Sequence, residues 1–153
     1  MRGFTLIELI ACILIIGVLA ALAGPRFTGT QAFDQRGYAN ELAAALRYAD
    51  GVAVATGCNV SFTVTRATGY SADQRPAAAA GNTCAAAGAY SQQVVRADGT
   101  ALSGAPPSDA NVAAGGTIIF GPLGQVTNAP VPSFVIGPVT ITVDPSSGFV
   151  NEQ

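Results

Sequence analysis

Residues 9–25 carry no charge, and extending the stretch back to Phe4 adds one ionisable group, Glu8. At about 1.5 Å per residue, a helix over 4–25 reaches about 33 Å, enough to cross a hydrocarbon core of about 30 Å. Over 31–56 the pattern becomes amphipathic: Tyr38, Leu42, Ala45, Leu46, Ala49 and Ala53 recur at helical spacing and predict a second helix whose apolar stripe packs on a sheet. It is expected to continue from the first, directly or through a gentle bend. Gly57 is its C-terminal stop, while Gly37 and Gly51 each weaken it by about 1 kcal/mol relative to alanine. From Cys58 the period becomes two. Cys58, Val60, Phe62 and Val64 alternate with Asn59, Ser61, Thr63 and Thr65, which predicts a half-buried strand.

The turn Arg66, Ala67, Thr68, Gly69 returns the chain into a hairpin starting at Tyr70. Further strands are predicted over 90–96, 117–120, 134–136 and 139–144, the last alternating Val139, Ile141 and Val143 with polar partners. The alanine-rich stretch 76–89 and the Gly- and Pro-containing stretch 99–116 read as loops. Together these elements predict an α+β architecture, one long N-terminal helix packed on an antiparallel sheet.

Glu8 changes the reading of the first segment. A carboxylate in hydrocarbon costs roughly 2.5 to 3.5 kcal/mol, so it calls for a partner, and the nearest is an amine. Arg2 and Arg26 flank the run on both sides and set no orientation, although so short an N-terminus is most easily left in the cytoplasm, with the remainder outside. Two other readings use the same residues. A secretory signal peptide would end at Ala21, Leu22, Ala23, and a plain single-span anchor would leave Glu8 without a purpose.

The 153 residues allow one modest domain beyond the helix. Seven arginines against nine carboxylates, with no lysine and no histidine, give a net charge of −2 and disfavour a broad cationic face for nucleic acid. Arg66, Arg75 and Arg96 are the obvious downstream cations, read as solvated surface or as part of a binding loop. The chain lacks a nucleophile elbow, a phosphate-cradling glycine loop and metal-spaced ligands, so it is read as no enzyme, with no cofactor and no metal. Of three cysteines, Cys12 reads as a small apolar residue in the first helix. Cys58 and Cys84 are disulfide candidates, since an oxidising compartment would let them staple a small domain.

The junction Gly3, Phe4 followed by Thr5, Leu6, Ile7 and Glu8 resembles the processing site of type IV prepilins and type II secretion pseudopilins. That resemblance implies a leader over 1–3, cleavage between Gly3 and Phe4 by prepilin peptidase, N-methylation of Phe4, and a transmembrane polymerisation helix over 4–25. It also implies that Glu8 pairs with the Phe4 amine of its own or a neighbouring subunit. Pro25 falls where pilin helices commonly carry a proline, which would kink or loosen the helix as it leaves the membrane. An amphipathic continuation over 26–57 and a periplasmic or extracellular β-rich domain over 58–153 complete the organisation.

Downstream, Arg36 to Leu42, Leu46 to Ala49, Ala53 to Gly57, Phe120 to Gln125 and Ser147 to Val150 are similar to GspH/FimT-type minor pseudopilins and minor pilins, including the MSHA type. The implied protein is a structural minor subunit of the bacterial inner membrane, single-pass with a periplasmic domain. Its implied partners are other major and minor pilins or pseudopilins and the inner-membrane assembly platform. It would initiate or cap a type IV pilus or secretion pseudopilus. A surface adhesin or DNA-binding minor pilin acting through exposed loops is the alternative.

Overall fold

The computed structural model describes residues 5–23, 30–76, 84, 87–108 and 110–153. The chain divides into two units, one ending at Phe33 and one running from Asp34 to Gln153. The first contains α1 (Leu6–Ala23). Helix α2 (Thr30–Thr56) begins before that boundary and from Asp34 onward provides the second unit with its helical layer, and among the described residues eight strands follow: β1 (Val60–Thr65), β2 (Gly69–Gln74), β3 (Gln92–Gln93), β4 (Ser103–Gly104), β5 (Gly116–Phe120), β6 (Phe134–Ile136), β7 (Val139–Val143) and β8 (Val150–Glu152). The fold is α+β. Whether α1 and α2 are continuous falls on residues 24–29, which lie outside the described residues.

The stripe on α2 is buried as its spacing requires. Tyr38, Leu42, Ala45, Leu46, Ala49 and Ala53 are each at most 5% exposed, and Ala39 and Ala43 join them. Four-residue steps place these side chains on one face, and the five alanines among them let the backbone approach the strands closely. Gly57 ends α2 at a φ of 68°, the left-handed conformation in which glycine escapes the Cβ penalty.

The strands form two antiparallel sheets where the pattern predicts one. The larger has the order β3-β2-β1-β5, with β4 also paired to β2, and the smaller has the order β6-β7-β8. In β1, Val60, Phe62 and Val64 face the core. They meet Tyr70 and Ala72 of β2, Ile118 and Phe120 of β5, and Phe134, Ile136, Ile141 and Val150 from the smaller sheet in one cluster with the α2 face. The hairpin turns at Gly69, whose φ is 84°. A Cβ there would collide with the Gly104 carbonyl oxygen, so the turn and the seating of β4 both need glycine.

Two predicted boundaries are corrected. The strand predicted over 90–96 shrinks to the exposed pair Gln92–Gln93, with Val95 making an isolated bridge to Ala101. The loop predicted over 99–116 contributes β4 and buries Leu102 and Val112. Backbone bonds from Ala72 to Leu102, from Leu102 to Val94 and from Val94 to Ala72 tie these segments into β2. Single buried residues among glycines and prolines carry no period, so pairing to a distant strand leaves no local signature.

The free edge of β5 is covered by its own chain. Asn128 accepts from the Ile119 amide at 2.7 Å and donates to the Thr117 carbonyl at 2.8 Å, and the Thr127 amide donates to the Ile119 carbonyl at 2.8 Å. The side-chain amide thus stands in for a neighbouring strand and blocks edge-to-edge pairing.

Candidate assembly site

Thr5 opens α1. Its carbonyl accepts from the amides of Glu8 at 3.1 Å and Leu9 at 3.2 Å, and its hydroxyl oxygen accepts from the Glu8 amide at 3.4 Å. Thr5 is therefore the N-cap and Glu8 stands in the first turn, where the positive end of the helix dipole favours a carboxylate. Thr-x-x-Glu ahead of an apolar run is a capping-box pattern. The pattern is a local sequence signal for this role, one that the reading of Glu8 as a charge seeking an amine leaves unused. Gly3, Phe4 and Pro25 lie outside the described residues.

Beyond the cap, α1 is apolar around its circumference. Leu6, Ile7, Leu14, Ile16 and Leu19 are each at least 60% exposed, and a helix hydrophobic on every side is one that becomes buried in a larger apolar body. Among the described residues no helix is long and apolar enough to cross a membrane. The 18 residues of α1 reach about 27 Å, just short of a core of about 30 Å. Cys12, read as a small apolar residue, is a free and exposed thiol on this helix.

In the second unit Cys58 and Cys84 are bonded, with Cα atoms 5.4 Å apart across a sequence separation of 26. This ties the start of β1 to the alanine-rich stretch. The three downstream arginines all make contacts within the chain. Arg66 donates to the Ala113 carbonyl. Arg75 stands 5.0 Å from the centre of the Tyr90 ring, a cation–π contact. Arg96 donates to the carbonyl of Ala101 at 2.6 Å, to that of Ser103 at 3.3 Å and to the Tyr70 hydroxyl at 3.1 Å. Arg66 is exposed and Arg75 and Arg96 are half-buried, so the three stay at the surface while each also braces its own chain.

Two carboxylates differ by environment. Asp144 is exposed and accepts from the hydroxyls and amides of Ser146 and Ser147. Those bonds, the Ser146 hydroxyl foremost, hold its carboxyl down at about 2. Asp50 on α2 has a buried oxygen, Oδ1, with no hydrogen-bond partner among the described residues, and burial raises its carboxyl above the ordinary value. It lies under two tight turns: a Cβ on Gly148 would come within 3.1 Å of Oδ1, and one on Gly124 within 3.5 Å. Gly124 and Gly148 both have positive φ, 82° and 66°. The two turns that resemble the minor subunits thus close over one carboxylate.

An uncovered apolar helix that starts at a threonine cap and an acid, together with a separate disulfide-stapled α+β unit, defines a structural subunit of the prepilin type. The N-terminal methylation motif of prokaryotic proteins matches residues 1–24, and the model of the type II transport protein GspH matches residues 38–150. The chain belongs to the GspH family of pseudopilin subunits, which are structural proteins and not enzymes. No curated protein and no solved structure matches it.

Proposed function

We propose that this chain is a minor pilin or pseudopilin, cut by prepilin peptidase between Gly3 and Phe4, methylated at the Phe4 amine, and built into an MSHA-like type IV pilus or a type II secretion pseudopilus. There it initiates or caps assembly alongside other pilins and the inner-membrane platform. Before assembly, residues 4–25 anchor it as a single pass, with the β-rich unit in the periplasm. The observation that carries this reading is the joint match of the methylation motif and the GspH model to one chain. The uncovered apolar surface of α1, with Glu8 in its first turn, supports it.

In the assembled filament, Glu8 pairs with the Phe4 amine of its own or an adjacent subunit, which offsets the cost of taking a carboxylate into an apolar core. The capping role allows a clean test. Glu8→Gln keeps a side chain that serves a capping box but removes the charge, and Glu8→Ala removes both. Both variants should be cleaved after Gly3, as read by intact mass and N-terminal sequencing, and both should be depleted from sheared filaments by at least about tenfold, a floor well below the full cost of breaking a buried charge pair. Glu8→Gln entering filaments at the wild-type level would overturn the pairing. The adhesin or DNA-binding alternative draws less support, because Arg66, Arg75 and Arg96 are engaged within the chain.

A further inference from the structure

A cleft of about 470 Å³ opens between α2 and the segment that carries Arg96 to Leu102, a size typical of sites that take a small group. Glu41, Ala44 and Tyr48 form its helical wall, one face of α2 at three- and four-residue steps. Ala44 is too short to fill the space. Arg96, Asp98 and Leu102 form the opposite wall, and Tyr70 lies at the base.

Its polar groups leave an unbalanced negative charge. Arg96 turns its N–H groups to the Ala101 and Ser103 carbonyls and the Tyr70 hydroxyl, and its charge offsets one of the two carboxylates, Glu41 and Asp98, leaving one in excess. Glu41 uses Oε1 to accept from the Tyr70 hydroxyl at 2.6 Å. Asp98 uses Oδ1 to accept from the amide and hydroxyl of Thr100 at 2.9 and 2.6 Å. Each carboxylate has a second oxygen outside those bonds. The Thr100 hydroxyl, more than any other group, holds the Asp98 carboxyl below its ordinary value, so that side stays ionised. Tyr48 lines the same cleft as both acids, and its hydroxyl donates to the Val95 carbonyl at 3.0 Å while the residue is 38% exposed. The ring is pinned at its tip and keeps an accessible surface. Gly104 completes the arrangement, since a Cβ there would lie 2.5 Å from both Glu41 Oε1 and the Tyr70 ring.

We infer that this cleft takes an arginine side chain presented by a neighbouring subunit, with its guanidinium stacked on the Tyr48 ring and bonded to the Glu41 and Asp98 carboxylates. Charge complementarity sets the sign of the guest. The planar, forked guanidinium suits an aromatic wall with two carboxylates better than the compact ammonium of lysine. The source of the guest rests on the subunit reading above, whereas the recognition chemistry does not.

The test uses full-length protein in detergent micelles and two probes, the blocked tripeptide Ala-Arg-Ala and the same peptide with citrulline, the neutral isostere of arginine. The arginine peptide should shift the amide NMR signals of Tyr48, Asp98 and their neighbours in a saturable, salt-sensitive way, with the citrulline peptide at least about fivefold weaker. Glu41→Gln with Asp98→Asn keeps the acceptors for Tyr70 and Thr100, so the fold is retained. This double variant should lose the preference for arginine. Equal binding of the two peptides, shifts confined to other surfaces, or an unchanged preference in the double variant would each overturn the inference. Failure of the filament reading shows separately, in the processing and incorporation of the Glu8 variants.

Discussion

Two buried polar groups on α2 lack a hydrogen-bond partner among the described residues: the Tyr38 hydroxyl and Asp50 Oδ1. Burial first, and then the Glu41 charge, push Tyr38 up to about 12, so it remains a neutral ring in the core, 6.4 Å from the ring of Tyr70. Asp50 behaves differently because its ordinary range lies below neutrality. Its folded value is raised, so the protonated form suits the fold better. The support it lends is complete below the unfolded carboxyl value near 3.9 and is lost as pH rises through the folded value. Asp50→Asn, neutral and nearly isosteric, is expected to raise the melting midpoint at pH 7. The gain should fade toward pH 3, as followed by thermal denaturation across pH. A constant difference at all pH values would show that the ionised form is not what the turns oppose.

At the scale of elements, the region between β2 and β3 is held by pairing and by covalent closure. Its edge strand is only Gln92–Gln93, exposed on both residues. The Cys58–Cys84 bond closes a loop of 26 residues, and by chain entropy such closure stabilises by about 3.5 kcal/mol at most. Replacing both cysteines with alanine should lower the urea-unfolding free energy by about 2 to 3.5 kcal/mol. Hydrogen exchange should rise most around β1 and β3. A loss below about 0.5 kcal/mol would mean that backbone pairing to β2 suffices without the staple.

For the whole molecule, the described core residues all lie at or beyond Tyr38 and, Cys58 aside, belong to one cluster, inside the unit that begins at Asp34. Such a unit has what independent folding requires, a core of its own. A chain starting at Asp34 is therefore expected to be a monomer that unfolds in one cooperative urea transition, checked by light scattering and by coincident fluorescence and circular dichroism. Several transitions would mean that this unit does not fold as one cooperative body. The exposed apolar surface of α1 makes the opposite demand on the full chain, which needs lipid, detergent or neighbouring subunits to cover it.

Periodicity carried a large share of the architecture. The α2 stripe from Tyr38 to Ala53 and the alternation of Val60, Phe62 and Val64 are local consequences of turns of 3.6 residues and a pleat of two, so they were readable before any contact was known. The Thr5 cap and the acid at position 8 were equally local. The split into two sheets was not, nor was the recruitment of Leu102 and Val112 into the core. The use of Asn128 as a surrogate strand, the turning of Arg96 onto Tyr70 and the closure of two glycine turns over Asp50 were also invisible in the pattern. Each depends on groups far apart in the chain meeting across packed layers, and a sequence pattern records which faces are apolar but not which distant groups will satisfy them.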